Sequence, residues 1–150
     1  MFLVDATVLL AAADASSPVH RPCREALERW REAPGAWFTS WGTLFELLRA
    51  ATHPRVLRRP WTGPEAWAFV EALLASPGLQ VISPTPRHLD VAREVLGELP
   101  WLAGNLFPAA HLAVLMREHG VRRIYSRDAE LHRFPFLEVV DPAALPRAAG

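Results

Sequence analysis

Two periodicities of hydrophobic and polar positions alternate along the chain. Short apolar runs, typical of strands buried on both faces, are bounded by glycine, proline or acidic residues. The runs that predict strands are 2–4, 36–39, 79–82, 121–125 and 137–140. Between them, apolar residues recur every three to four positions, as on one face of an amphipathic helix. The stretches that predict helices are 18–31, 44–51, 65–75, 85–96 and 109–119.

Strands that alternate with helices favour an α/β fold with a mostly parallel central sheet and helices on both sides. The length of 150 residues fits one domain of common size. We see neither an internal repeat nor a second hydrophobic unit. We therefore expect one domain over residues 1–141, followed by a C-terminal tail over 142–150.

The composition removes several classes of enzyme. All 16 basic residues are arginine, so the phosphate-binding lysine of P-loop proteins and every Schiff-base mechanism are excluded. The GxGxxG and GxSxG motifs of dinucleotide-binding proteins and serine hydrolases do not occur. A single cysteine, Cys23, forbids an internal disulfide. No stretch reaches the ~18 apolar residues of a membrane span, and the start is unlike a signal peptide, so we expect a cytoplasmic protein.

Three carboxylates lie where a parallel sheet binds its ligands, beyond the carboxyl ends of the strands. Asp5 ends the first predicted strand, Asp128 follows the fourth, and Glu46 is the one acid in an apolar helical run. Each by itself is more typical of a turn, a cap or a solvated helix position. Together they suggest a divalent cation, because buried carboxylates need a partner and Arg49 is the nearest base to Glu46 in sequence. Oxygen ligands favour Mg²⁺ or Mn²⁺ over zinc.

The histidines give no such signal. The six of them are scattered along the chain without the spacing of a metal site. We interpret all six as structural or surface residues.

Four segments, in order along the chain, resemble the motifs of the PIN-domain family, and most closely its VapC-type toxins. They are MFLVDATVLL at 1–10, the acid Glu46, GNLFPAAHLA at 104–113 and IYSRDAEL at 124–131 with RFP at 133–135. Any one of these matches is weak evidence for the family. Four matches in the family's order, across nearly the whole chain, are strong evidence for it.

The resemblance implies a PIN-like fold and an endoribonuclease that depends on Mg²⁺ or Mn²⁺. It assigns Asp5, Glu46 and Asp128 as the catalytic and metal-binding acids. Thr7 matches a family position that steadies the first acid, Asp5. Ser126 matches the family position that carries a hydroxyl before the last acid, Asp128. The resemblance also implies a homodimer and a VapB-type antitoxin whose C-terminal segment occupies the site.

One departure from the family pattern concerns catalysis. The third motif normally carries Asp where this chain has Ala109, and a methyl group cannot bind a cation, so we expect impaired catalysis. Glu130 is a further supporting candidate because its longer side chain could reach the site. Two explanations of Ala109 are open: an introduced change that disarms a toxic nuclease, or a native feature of a degenerate homologue. The three intact acids favour the first.

Two arginine clusters are candidates for contacts with RNA. One comprises Arg55, Arg58 and Arg59, and the other Arg122, Arg123 and Arg127. Solvated arginines paired with glutamates are at least as good an interpretation of each cluster. Arg127 adjoins Asp128 and is the favoured phosphate contact. Trp61 and Trp67 could stack on bases, although a core or dimer contact is the favoured interpretation.

Three classes of function follow. The first is a metal-dependent endoribonuclease toxin, impaired here by Ala109. The second is a catalytically inactive PIN-like module that binds RNA or an antitoxin without cutting. The third is another metal-dependent phosphohydrolase, such as a structure-specific DNA nuclease, which the small size and the lack of extensions disfavour.

Overall fold

A sheet of five strands forms the centre of the computed structural model, which describes residues 1–146. The strands are β1 (Phe2–Val4), β2 (Trp37–Ser40), β3 (Leu79–Ile82), β4 (Arg123–Tyr125) and β5 (Glu138–Val140). Their order is β3-β2-β1-β4-β5, and every neighbouring pair is parallel. The predicted α/β fold with a parallel sheet is confirmed.

Helices cover both faces of this sheet. They are α1 (Ala6–Ala13), α2 (His20–Glu32), α3 (Trp41–Thr52), α4 (Gly63–Leu74), α5 (His88–Glu98) and α6 (Phe107–Glu118), with short 3-10 turns at Gly104–Leu106 and Ala129–Arg133. Successive strand residues face opposite sides. Leu3 therefore packs into the core beneath α5 and α6, whereas Val4 packs into the core shared by α1 to α4.

Helix α1 is the element that the hydrophobic pattern did not predict. Its sequence, ATVLLAAA, has four buried residues and no polar side apart from Thr7. A helix that is apolar nearly all round lacks the periodicity by which amphipathic helices are identified. Ser40 caps α3, which begins at Trp41. Several other boundaries differ from the predicted ones by two or three residues; α5 begins at His88 rather than 85, and α6 begins at Phe107 rather than 109.

The chain after β5 contains the start of the predicted tail. Asp141 accepts a hydrogen bond from the backbone N of Ala143 at 2.8 Å, and Pro142 is buried. Residues 147–150 lie outside the described residues, so the boundary at 141/142 stays a prediction. Across residues 1–146, no helix is both long enough and apolar enough to cross a membrane.

Candidate active site

One cleft, of about 380 Å³, opens at the carboxyl ends of β1, β2 and β4. The starts of α1, α3 and α6 and the turn after β4 form its walls. Its lining residues are Asp5, Ala6, Thr7, Ser40, Gly42, Thr43, Glu46, Pro108, Ala109, His111, Leu112, Asp128 and Leu131. The three acids predicted from the sequence therefore share one cleft, and Ala109 faces the same space.

Asp5 is the most enclosed of the three acids, with only 6% of its surface exposed. It caps the N-terminus of α1, where its Oδ1 accepts hydrogen bonds from the backbone N and the hydroxyl of Thr7 at 2.9 and 2.5 Å. Its Oδ2 accepts from the hydroxyl of Ser126. Burial raises the pKa of Asp5, although the hydrogen bonds from Ser126, Thr7 and Val8 oppose the shift. All these donors are neutral, so the ionised carboxylate has no cationic partner among the described residues.

The two hydroxyls also hold the loop after β4 against α1. Thr7 Oγ1 accepts from the backbone N of Arg127 at 2.8 Å, and Ser126 Oγ accepts from the backbone N of Asp128 at 2.9 Å. Each hydroxyl therefore donates to Asp5 and accepts from the loop. This arrangement fixes Asp5 and Asp128 relative to one another.

Asp128 begins the 3-10 turn Ala129–Arg133. Its Oδ1 accepts a hydrogen bond from the backbone N of Glu130 at 2.9 Å. Glu130 itself is exposed, lies outside the cleft lining and has a carboxylate oxygen 3.5 Å from the Arg133 guanidinium. The structure thus brings Asp128 to the cleft and leaves the Glu130 side chain outside it.

Glu46 lies on the opposite wall, on the second turn of α3. Arg49 binds both of its carboxylate oxygens, with Nη2 to Oε1 at 2.6 Å and Nε to Oε2 at 3.0 Å. Each of these side chains is about half exposed, at 51% for Glu46 and 58% for Arg49. Exposed ion pairs contribute little to stability, so a cation that binds the Glu46 carboxylate more tightly than Arg49 does can displace the guanidinium.

The donor atoms at this cleft fit a hard divalent cation in chemical type. Asp5, Asp128 and Glu46 supply carboxylate oxygens, the ligands that Mg²⁺ and Mn²⁺ prefer. However, these three carboxylates do not form a ready metal site. Within residues 1–146, no three His, Cys, Asp or Glu side chains are grouped closely enough to hold a metal ion. Ala109 adds no ligand atom to the wall formed by α6.

The two arginine clusters differ in their pairing. Arg123 contacts Glu138 at 2.9 Å, and Arg127 Nε lies 3.4 Å from a carboxylate oxygen of Asp141, whereas Arg122 is exposed and makes no ion pair within residues 1–146. Arg127 also lies outside the cleft lining, and its contact with phosphate stays a prediction. The other cluster, Arg55, Arg58 and Arg59, is exposed and has no acidic partner within the part of the chain that the structure describes.

The two tryptophans near the unpaired cluster also differ in exposure. Trp61 packs against Phe69 with ring centroids 5.6 Å apart, whereas Trp67 is 39% exposed. Trp61 is therefore partly committed to the core, in line with the favoured interpretation of that residue.

His111 is the cleft residue that the sequence interpretation missed. It lies on the wall formed by α6, next to Pro108, Ala109 and Leu112. Residues three and four apart lie on one side of a helix. The placement of the third motif at the cleft could therefore have indicated that position 111, three after Pro108, lies there too.

The fold and this cleft define a PIN domain. Residues 2–137 match the PIN domain family, and the chain belongs to it. It is 35% identical to Ribonuclease VapC31 of Mycobacterium tuberculosis over 142 residues, covering 95% of this chain and 99% of that protein. It is 31% identical to Ribonuclease VapC48 of the same species over 138 residues, covering 92% and 94%.

Solved structures share this fold. The crystal structure of Mycobacterium tuberculosis VapC20, a Sarcin-Ricin loop cleaving toxin, superposes with a TM-score of 0.63 at 21% identity, covering 89% of this chain and 94% of that one. VapBC2 from Rickettsia felis, bound to a DNA fragment from its promoter, gives a TM-score of 0.67 at 13% identity, covering 93% and 96%. The predicted membership in the PIN-domain nucleases, with homology to VapC ribonucleases, is confirmed.

Proposed function

We propose that this protein is a VapC-type endoribonuclease toxin that cleaves RNA phosphodiester bonds with Mg²⁺ or Mn²⁺. The observation that carries the proposal is Asp5, a buried carboxylate hydrogen-bonded by neutral donors and joined to Asp128 at the floor of the cleft. Buried anions without a cationic partner are costly, so the site favours the arrival of a cation. The names of the homologous ribonucleases support the same reaction.

Asp5 and Asp128 would hold the metal ion, and Glu46 would join them once Arg49 releases its carboxylate. A bound divalent ion would neutralise phosphate charge and lower the pKa of a bound water. Thr7 and Ser126 donate to Asp5 and so keep both of its oxygens in one orientation. Arg49, freed from Glu46, would lie at the edge of the cleft, where its guanidinium suits a phosphate of the RNA.

A second candidate is a catalytically inactive module that binds RNA or an antitoxin without cutting. Two observations favour it: Ala109 offers a methyl group to the cleft, and Glu46 is occupied by Arg49. Both weaken metal binding in the chain as it stands. We therefore expect a severe loss of activity relative to a form with Asp at position 109.

We also propose the partners and the location of the toxin: a VapB-type antitoxin, a second copy of the chain, and the cytoplasm. The VapBC complexes among the structural neighbours support the antitoxin. Trp41 and Phe45 on α3 are 44% and 62% exposed, and aromatic side chains are enriched at protein interfaces. Light scattering of the purified chain would test the dimer. Co-purification with the product of a neighbouring short gene would test the antitoxin.

The experiment that tests the activity compares the chain with its Ala109→Asp variant. Both are purified without partners and incubated with total RNA in Mg²⁺ or Mn²⁺, with EDTA as the control. We expect EDTA-sensitive cleavage by the Ala109→Asp variant, and its loss in the Ala109→Asp, Asp128→Asn double variant. Cleavage that survives Asp128→Asn would contradict the proposed site. RNA binding without cleavage by either form would favour the inactive module.

A further inference from the structure

A buried carboxylate lies outside the set of acids just described. Glu118, in the last turn of α6, has a side chain that is 0% exposed. Its Oε1 accepts from the backbone N and the hydroxyl of Thr85, and its Oε2 lies 2.6 Å from His88 Nδ1. Burial by itself would raise the pKa of Glu118, but the hydrogen bonds from Thr85 and His88 outweigh it and hold that pKa at about 2. Glu118 is therefore ionised at neutral pH.

Glu118 fixes the orientation of the His88 ring. An ionised carboxylate only accepts hydrogen bonds, so His88 Nδ1 carries the proton that lies between them. The His88 ring meets the ring of His111 edge to face, with centroids 5.5 Å apart and an interplanar angle of 89°. His88 thus links the buried carboxylate to His111, two turns earlier on α6.

His111 forms the partition between two cavities. On one side is the main cleft, and on the other a smaller cavity of about 140 Å³ between α5 and α6. Apart from His88 and His111, the lining of the smaller cavity is apolar: Ala92, Leu96, Phe107, Ala110 and Val114. The His111 ring therefore borders both the main cleft, with its acids, and this mostly apolar cavity, where His88 is its polar neighbour.

The hydrogen bonding of His111 differs from that of most other histidines. His20 and His119 bond to backbone carbonyl oxygens, His53 bonds to the backbone N of Arg55, and His88 bonds to Glu118. His111 makes no hydrogen bond to any residue within 1–146, although its ring packs against His88. Its ring nitrogens are free to bind a ligand in the cleft.

We propose that His111 is a substrate-contacting residue, which hydrogen-bonds a phosphate oxygen of the RNA bound in the cleft, and that His88 and Glu118 are its positioning residues. This inference rests on the proposed function, because it takes RNA as the substrate. The ring of His111 lies on the wall that Ala109 leaves without a polar group. An imidazole N–H is a donor suited to a phosphate oxygen, and such contacts position a strand without reading its sequence.

The test measures RNA binding rather than cleavage. Fluorescence anisotropy with a labelled pool of random 20-nucleotide RNA in Mg²⁺, in which the chain with Ala109 is expected to cut poorly, gives the affinity of the full chain and of its variants. We expect His111→Ala to weaken binding about tenfold and His88→Ala about threefold. His132→Ala is the matched control, since His132 is exposed, makes no hydrogen bond within residues 1–146 and lies outside the cleft lining. It should bind as the unaltered chain does.

The double variant separates positioning from general stability. If His88 acts through His111, the His88→Ala, His111→Ala double variant binds no more weakly than His111→Ala alone. Additive losses would overturn the role of His88, and unchanged binding by His111→Ala would overturn the contact itself while the proposed ribonuclease survives. No binding by the unaltered chain would contradict both. The comparison of these single and double variants does not use Glu118→Gln, so a failure of that buried variant to fold does not affect it.

Discussion

The two sides of the cleft are built differently. On the side of the strand ends, Asp5 and Asp128 are locked together by the hydroxyls of Thr7 and Ser126. On the side of the helices, Glu46 rests in an exposed ion pair, and Ala109 presents a methyl group. The first side is preorganised, and the second must rearrange before it can contribute. Under the proposed function, the fixed half would receive the cation and the adjustable half would complete the site.

The arginines outside the cleft lining also differ from one another, in their pairing with acids. Those near the strand ends, Arg123 and Arg127, are paired with acids, whereas the cluster of Arg55, Arg58 and Arg59, in the loop after α3, is exposed and without an acidic partner within residues 1–146. Unpaired arginines are free to contact phosphate. Under the proposed function, this loop at the C-terminal end of α3 is therefore a candidate contact for RNA outside the cleft lining.

The largest expected effect comes from removing the charge of the fixed side. In the Ala109→Asp form, Asp5→Asn should lower cleavage by about a hundredfold or more, because the central carboxylate of the site is lost. It should also raise the melting temperature at pH 7. The pKa of Asp5 is raised in the fold, so its stabilising contribution is complete below the ordinary value of 3.8 and is lost as the pH rises through the shifted value.

Thermal unfolding between pH 4 and pH 8 checks this prediction. The gain in stability from Asp5→Asn should shrink as the pH falls, because the native aspartate then takes up its proton. Asp128→Asn serves as the control, since it should lose activity without this pH-dependent gain. A variant at Asp5 that is inactive but less stable at every pH would contradict the account of an anion that is costly to bury.

The next largest effect concerns RNA affinity. Replacing Arg55, Arg58 and Arg59 together by Gln should weaken binding more than tenfold and reduce the slope of log affinity against log salt by about 2, at about 0.7 for each phosphate contact. The matched control replaces Arg21, Arg24 and Arg93, which are paired with acids. Both triple variants have the same net charge, so an equal loss in the two would show that the effect is nonspecific.

Removing the Ser126 hydroxyl, which joins Asp5 to Asp128, should have a smaller effect. Ser126→Ala leaves Asp5 Oδ2 and the backbone N of Asp128 without their partner, which should cost about 1–3 kcal/mol of stability. Cleavage by the Ala109→Asp form should fall about tenfold, because the two acids lose their shared anchor. Chemical denaturation and initial rates measure the two effects. Ser16→Ala, in an exposed turn, is the control.

The smallest expected effect tests whether Glu46, on the helical side of the cleft, can exchange its ion pair with Arg49 for a metal ion. Arg49→Ala should tighten Mn²⁺ binding about fivefold, the effect of losing an exposed ion pair worth at most about 1 kcal/mol. Isothermal titration calorimetry measures it, and Glu46→Gln should change the affinity in the opposite direction. If both variants bind Mn²⁺ as the unaltered chain does, Glu46 takes no part in the metal site.

The positions of the fixed side could be predicted from the sequence, because the strand-end rule depends only on where apolar runs stop. Asp5 follows such a run directly, and Asp128 lies three residues beyond the end of another. The ion pair between Glu46 and Arg49 could not be predicted from the sequence. The spacing of the two residues is visible there, but whether the pair forms depends on how α3 is exposed. The contact of His88 with Glu118 joins residues 30 apart in the chain. Nothing local in the sequence marks it.

Under the proposed function, position 109 is a point at which catalysis would change without a change of scaffold. Alanine is the best helix former, and an aspartate in the first turn of a helix is also favourable, so either residue suits the start of α6. Asp5, by contrast, caps α1 and holds the loop after β4. Under the proposed function, one exchange at 109 would therefore silence or restore the nuclease while the scaffold stays intact, whereas loss of the Asp5 carboxylate also removes the acceptor that Thr7 and Ser126 share.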